Sequence, residues 1–377
     1  MIAVNENKSV ALLCPLNTIM YLPCVFNLAV LLARTGCIVD IYCVANTHAE
    51  FNLRENNISI FELSHKSARG WLKFFPNILT FTSWALRLNT KHYDYCIGID
   101  PPGLVSATIF VRFKKASALI YESLEILCRE DTTSLYNGYK QVERFFIKKA
   151  SFVITQDSVR KQLISDDYCI KLGNISIFPN SPIGSSRKKP SQYLREKFHL
   201  HENDVLVLYA GSVGDWVWTQ DVVEISKMWP VHYRLVLHIR GGLEVLKKVC
   251  SAPLPDNLLV SDAAVDSETL DAIIDSADIG LVFYDHQSPN IKYVGYSSGK
   301  LCHFLHNGKP VICNRLAMVE DHIVRHQSGI VVDATKDIEQ AIHEICLSKH
   351  DYEKGALIHF DTEIDLTSCI HEISNKM

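Results

Sequence analysis

Short runs of apolar, β-branched residues alternate with helix-patterned stretches along this chain, and the alternation breaks once and then restarts. Repeated strand–helix–strand order implies parallel strands, because a parallel neighbour is reached only through a crossover long enough to be a helix. In the first half, strands are expected at 10–14, 38–44, 58–63, 93–99, 118–121, 152–155 and 175–178. Helices are expected at about 21–34, stopped by Gly36, and across the aromatic-rich stretch 71–89. Residues 179–190, PNSPIGSSRKKP, then interrupt the pattern with three prolines, serines and basic residues, which is linker composition. Beyond it, strands are expected at 205–210, 234–239, 258–260, 279–283, 311–313 and 330–332, with helices near 268–276, 298–306 and 337–347.

The fold class expected is therefore α/β: two Rossmann-like, doubly wound parallel-sheet domains facing a cleft. The first covers 1–180 and the second 181–354, with the segment from about 355 to 377 packing back on the first. A chain of 377 residues has room for both. Ligands of open parallel sheets bind beyond the carboxyl ends of the strands, so that is where chemistry is sought.

Composition narrows the classes. At 47% hydrophobic and 21% charged, the chain is globular in type. A formal net charge of -4 argues against a dedicated nucleic-acid binder. The 12 cysteines include no CxxC pair, so they read as core thiols in a reducing compartment and zinc is not expected. The start, MIAVNENKSV, lacks the pattern of a signal peptide, and the apolar stretch 20–33 is too short to span a bilayer. The expected location is cytoplasmic, with at most peripheral contact at the inner face of the cell membrane. Two segments, WLKFFPNILTFTSWALR (71–87) and RFFIKK (144–149), mix aromatic, aliphatic and basic residues. They suit a membrane surface, although core-facing helix is the commoner use of such a pattern.

The segment YVGYSSGKLCHFLHNGKPVICN (293–314) carries the most chemistry. A loop of small residues leads into a helix with Leu301, Phe304 and Leu305 on its apolar face, stopped by Asn307 and Gly308. Ser297, Ser298 and Gly299 stand at its start, where unpaired amides and the helix dipole favour an anion. Lys300, one turn in, adds a full charge, and a diphosphate suits such a site. An ordinary serine-capped helix with a solvated lysine fits the same residues. Gly211, Ser212 and Gly214 follow a strand and form a second phosphate candidate, with a plain tight turn as the alternative. Arg240 ends the strand RLVLHIRGG and is either a crevice cation or a surface arginine. The first strand is followed by PLNTIMYLP, without glycine, which disfavours a nicotinamide-binding domain. Glu122 ends a buried strand in ALIYESLEI and is the candidate general base; Asp100, in IGIDPPG, is its competitor, and Glu125 lies close by. Turn and cap carboxylates account for the same residues. No DxD pair stands in a loop, so no metal is called for.

SGKLCHFLHNGKPVI resembles the donor-binding helix of GT-B glycosyltransferases of the family-4, or group 1, kind. ETLDAIIDSADIGLVF (268–283), FPNSP (178–182), LVLYAGSVGDWVW (206–218) and QSGIVVD (327–333) are similar to neighbouring elements of that family. The resemblance covers about 150–335 well and the N-terminal half in outline. It implies a sugar transferred from a UDP- or GDP-type nucleotide-sugar to a glycan or lipid-linked acceptor, without cofactor or metal, in assembly of a bacterial surface polysaccharide. Two departures accompany it. Gly295 and His303 occupy the places of the family's paired glutamates, which leaves His303 to bond the ribose. The family's Arg and Lys pair is missing from GSVGDWVWTQ (211–220), so the phosphates fall to Ser298, Lys300 and Arg240. A nucleotide-sugar epimerase and a non-catalytic sugar-nucleotide-binding or scaffold subunit remain the alternatives.

Overall fold

The computed structural model describes residues 8–15, 23–45, 55–64, 75–127, 134–214, 217–239, 242–250, 253–262, 265–285 and 289–377. The chain forms two compact units, Met1–Ile183 with Leu366–Met377, and Gly184–Asp365.

The strands of the first unit are β1 (Ser9–Cys14), β2 (Ile38–Val44), β3 (Ile58–Leu63), β4 (Tyr93–Ile99), β5 (Ala116–Glu122), β6 (Phe152–Thr155) and β7 (Ile175–Ile177). Its helices are α1 (Pro23–Arg34), α2 (Phe75–Leu88), α3 (Asp100–Arg112), α4 (Ser134–Phe146) and α5 (Ser158–Tyr168). All seven strands run parallel in the order β3-β2-β1-β4-β5-β6-β7. The strands are buried on both faces, which is why they read as continuous apolar runs rather than alternating ones. The order reverses between β1 and β4, so the crevice of this unit opens at their carboxyl ends. Close approach at this point rests on glycine: a Cβ on Gly98 would lie 2.5 Å from the Gly103 carbonyl oxygen, so only a bare backbone lets α3 turn back on β4.

The second unit continues with α6 (Tyr193–Phe198), β8 (Val205–Ala210), α7 (Thr219–Ser226), β9 (Tyr233–His238), α8 (Gly242–Val249), β10 (Leu258–Ser261), α9 (Ser267–Ser276) and β11 (Ile279–Val282). It closes with α10 (Pro289–Lys292), α11 (Gly299–His306), β12 (Val311–Cys313), α12 (Val319–His326), β13 (Gly329–Val331), α13 (Ile338–Leu347) and α14 (Lys349–Glu363). Its six parallel strands lie in the order β10-β9-β8-β11-β12-β13, with the reversal between β8 and β11.

The last helix, α15 (Leu366–Lys376), belongs to the first unit, where Leu366, Ile370 and Ile373 join the core around α1. The return begins at Leu366 rather than at about 355. The reason is packing: α14 buries Ala356 and Phe360 completely in the second unit's core with Leu301 and Leu305. The expected strands all form, and the α/β class with two parallel sheets flanked by helices is the observed one. In α2, Ile78, Phe81 and Ala85 are buried, the last two in the first unit's core, so one face of the helix packs inward while Leu79 and Leu88 stay exposed; residues 71–74 lie outside the described ones.

Candidate functional site

In the second unit, α11 is seated on β11 through a missing side chain. The Phe304 ring lies where a Cβ on Gly280 would be, at 2.5 Å. With Leu301, Phe304 and Leu305 fully buried, the helix start is fixed at the carboxyl end of β11, beside the β8–β11 switch point. Ser298 is the N-cap: its Oγ accepts from the Leu301 N–H at 3.2 Å and lies 2.7 Å from the Tyr284 hydroxyl. The first intrahelical bond runs from the Cys302 N–H to the Ser298 carbonyl, so the Gly299 and Lys300 amides precede the ladder. The Ser297 hydroxyl instead donates to the Val294 carbonyl and closes the preceding turn.

Lys300 does not extend to solvent. Its Nζ is enclosed, without a hydrogen-bond partner among the described residues, 4.1 Å from the centroid of the Tyr209 ring and 4.6 Å from that of Tyr284. Tyr209 is on β8 and Tyr284 follows β11, so the ammonium is held at the switch point itself. Burial pushes its pKa down to about 7, while the ring faces favour the cation. Gly211 comes next to it: a Cβ there would stand 3.9 Å from Lys300 Cε and 4.0 Å from Nζ. Gly211 and Gly214 have φ of 150° and 157°, a region that favours glycine, and the Tyr209 hydroxyl donates to the Ser212 carbonyl to hold the loop. The structure thus brings together Gly211, Ser298, Gly299 and Lys300. Arg240 lies outside the described residues.

His303 has a different neighbour. Its Nε2 is 2.6 Å from Asp271 Oδ1 on α9, and the other Asp271 oxygen is 3.0 Å from Arg187. Burial pushes Asp271 up, but the His303 hydrogen bond, with the His303 and Arg187 charges, holds its carboxyl below the usual range. One ring nitrogen of His303 is therefore committed within the protein. Gly295 is buried in the turn before α11 and offers no side chain. Tyr209, Tyr284 and Asp271 escaped the sequence reading; the only signal was a tyrosine near the carboxyl end of each of two strands.

In the first unit, β4 and β5 pair Ile99 with Glu122, which places Asp100 and Glu122 at adjacent strand ends. Asp100 opens α3 with φ of 52°, held by hydrogen bonds from the Leu124 and Glu125 amides at 2.9 and 3.2 Å. Glu122 is 1% exposed, and its Oε2 has no partner among the described residues. Burial, with the Asp100 charge, pushes Glu122 up to about 8; burial, with the Glu125 charge, pushes Asp100 up to about 7. Burial also raises Glu125, against the pull of the Arg160 charge. Perturbed carboxyls at the carboxyl edge of a parallel sheet have the environment of proton-transfer groups.

Among the described residues no group of His, Cys, Asp and Glu is placed to hold a metal ion, and no helix is long and apolar enough to cross a membrane.

These features define a class. Residues 254–364, which include α9, α11 and Lys300, match the family model described as glucosyltransferase 3-like, C-terminal domain. The whole chain is similar to solved GT-B structures. Sucrose-phosphate synthase from Thermosynechococcus elongatus is 14% identical, with 98% of each chain covered and a TM-score of 0.70. Anabaena HepE, solved in complex with UDP and glucose, is 12% identical, with 98% of each chain covered and a TM-score of 0.70. WaaG, a glycosyltransferase involved in lipopolysaccharide biosynthesis, is 14% identical over 97% of this chain and 98% of its own, with a TM-score of 0.66. At these identities the likeness establishes the fold, which is GT-B. No curated protein matches the sequence.

Proposed function

We propose that this protein is a glycosyltransferase that takes a sugar from a UDP- or GDP-type nucleotide donor and passes it to a glycan or lipid-linked acceptor. The observation that carries this reading is the enclosed Lys300 ammonium, without an anionic partner among the described residues, beside Gly211 and the start of α11. A donor diphosphate supplies the missing counter-charge, the helix start gives its oxygens amides to meet, and Gly211, without a side chain, leaves them room beside Lys300. HepE in complex with UDP and glucose, and WaaG as a glycosyltransferase involved in lipopolysaccharide biosynthesis, support the donor class and a setting in bacterial surface polysaccharide assembly. Peripheral contact at the inner face of the membrane is part of the same proposal.

In the transfer, the acceptor oxygen bonds to the anomeric carbon as the bond from that carbon to the phosphate oxygen breaks. The nucleoside diphosphate leaves with its charge offset by Lys300 and the α11 dipole. The acceptor proton passes to Glu122, with Asp100 as the alternative base. No metal or cofactor enters this scheme; cations and dipoles of the chain neutralise the leaving group.

A second reading, a sugar-nucleotide-binding subunit without transferase activity, is favoured by one observation: Gly295 has no carboxylate to offer, and His303 is tied to Asp271. The two separate in one experiment. The full chain is titrated with nucleoside diphosphates by thermal shift and then assayed for nucleotide release with and without an acceptor extract. Binding with acceptor-dependent release supports transfer; binding without release supports the subunit; no binding by the folded chain refutes both.

A further inference from the structure

We propose that the amino edge of the first unit's sheet is a docking surface for an anionic lipid bilayer. Because all seven strands are parallel, the turns that enter them lie along one edge, opposite Asp100 and Glu122. Among the described residues, this unit exposes six large apolar side chains, and five are on that edge: Ile38, Leu88, Phe113, Phe145 and Leu172, at 43, 46, 66, 68 and 44%. Only Leu79 lies elsewhere, within α2.

Cations dominate the middle of the same edge, while at its flanks Glu55 is paired with Arg34 and Asp167 with Lys140. The turns into β4, β5 and β6, residues 87–92, 112–115 and 144–149, hold eight lysines and arginines and no acid. Among the described residues only one of the eight, Lys91, is paired with a carboxylate, the buried Asp40 at 2.6 Å. Asp94, the acid that follows the first turn, accepts from Ser9. Adjacent turns are joined: His92 lies 2.9 Å from the Lys114 carbonyl and 2.8 Å from the Ser117 hydroxyl, and Lys115 donates to the Asn89 carbonyl at 3.3 Å. Lys149 stands 5.0 Å from the Phe145 ring and 4.7 Å from Phe146. A chain with a net charge of -4 therefore concentrates unpaired cations and unburied apolar tips on a single edge.

Those two chemistries meet in an acidic leaflet, where headgroups take the cations and the acyl boundary takes the apolar tips. A phosphate backbone would satisfy the cations but gives nothing to Ile38, Leu88 or Leu172. The surface includes none of the residues placed at the donor or base positions. It deepens the membrane setting proposed above, and vesicle binding is read without any transfer reaction, so the two can fail separately.

The test is co-sedimentation of the full chain with vesicles of phosphatidylglycerol and phosphatidylcholine in equal parts, against phosphatidylcholine alone. The chain is expected to sediment with the mixed vesicles, to stay in solution with the neutral ones, and to be released by salt. Each cation near an acidic surface multiplies partition about fivefold, so Arg144→Glu with Lys148→Glu should lower it by at least about twenty-five-fold. Phe113→Ser with Phe145→Ser should also weaken it, with unfolding temperature and nucleoside diphosphate affinity unchanged in both variants. Absence of binding to mixed vesicles overturns the proposal. So does binding that neither double variant weakens, or binding to a nucleic-acid duplex in place of vesicles.

Discussion

The Lys300 ammonium rests 4.1 Å from the centroid of the Tyr209 ring, an enclosed cation that a strand-end tyrosine holds and no acid among the described residues neutralises. A buried charge without an ion-pair partner costs stability, and a ligand anion recovers that cost only when it is bound. This makes Lys300 the residue on which donor affinity should depend most. Lys300→Met, which keeps the stem and removes the charge, should weaken nucleoside diphosphate binding about ten- to hundredfold, the equivalent of about 1.5–3 kcal/mol. Calorimetric titration of the folded variant measures it. An unchanged affinity would move the phosphate elsewhere.

The same residue predicts a pH dependence of stability. Folding lowers the Lys300 pKa from 10.5 to about 7, so between those values the unfolded chain binds the extra proton. Stability contributed by this group therefore rises with pH across that window, and the penalty is complete below about pH 7. Lys300→Met should raise the unfolding temperature of the ligand-free protein at pH 6, with the advantage shrinking by pH 9. Parallel melting curves at the two pH values decide it; an advantage that grows with pH would show the sign to be wrong.

Ser298 serves two partners, the Leu301 amide and the Tyr284 hydroxyl, the latter at 2.7 Å. Tyr284→Phe should cost about 1 kcal/mol, the net worth of one neutral hydrogen bond, while keeping a ring beside Lys300. Ser298→Ala should cost more, because it removes the cap and also strands a buried phenol whose pKa burial has already pushed up to about 12. The double variant should cost less than the sum of the two, since the shared bond is lost once. Denaturant melts of the four proteins give the coupling; strict additivity would mean that the two hydroxyls do not interact.

Much of the fold was legible because parallel strands are buried on both faces and announce themselves as apolar runs. The runs at 38–44, 58–63, 93–99, 152–155, 205–210 and 311–313 coincide with strands to the residue. The start of α11 was legible too, since Ser298, Gly299 and Lys300 carry a cap, a close approach and a charge in three consecutive positions. Its surroundings were not. Tyr209 and Tyr284 look like any strand-end tyrosine, and only the β8–β11 adjacency, set by the crossover order, makes them walls around Lys300. His303 pairs with an aspartate 32 positions earlier, a contact that helix periodicity does not encode. Of the basic, apolar amino edge only RFFIKK (144–149) stood out in the sequence, because the rest is divided among short turns far apart along the chain.

The final prediction concerns Glu122. Its carboxyl is raised from 4.5 to about 8 by burial first and the Asp100 charge second. The unfolded chain loses this proton at about 4.5 and the folded chain keeps it to about 8, so the group's contribution is intact below 4.5 and is lost as pH rises through 8. Glu122→Gln is neutral at every pH and should be the more stable protein at pH 8, with no advantage at pH 4. If Glu122 also takes the acceptor proton, the wild-type rate should climb toward pH 8, where the carboxylate becomes populated. Glu122→Gln should abolish that climb and lower turnover by about two to four orders of magnitude, with nucleoside diphosphate affinity preserved. Asp100→Asn is the matched control: it removes the neighbouring carboxylate, whose oxygen holds the Leu124 and Glu125 amides. A large loss in Asp100→Asn with little in Glu122→Gln would transfer the role to Asp100. Little loss in either, with the donor's anomeric configuration kept in the product by NMR, would assign the proton to the leaving phosphate and leave Glu122 a buried neutral acid.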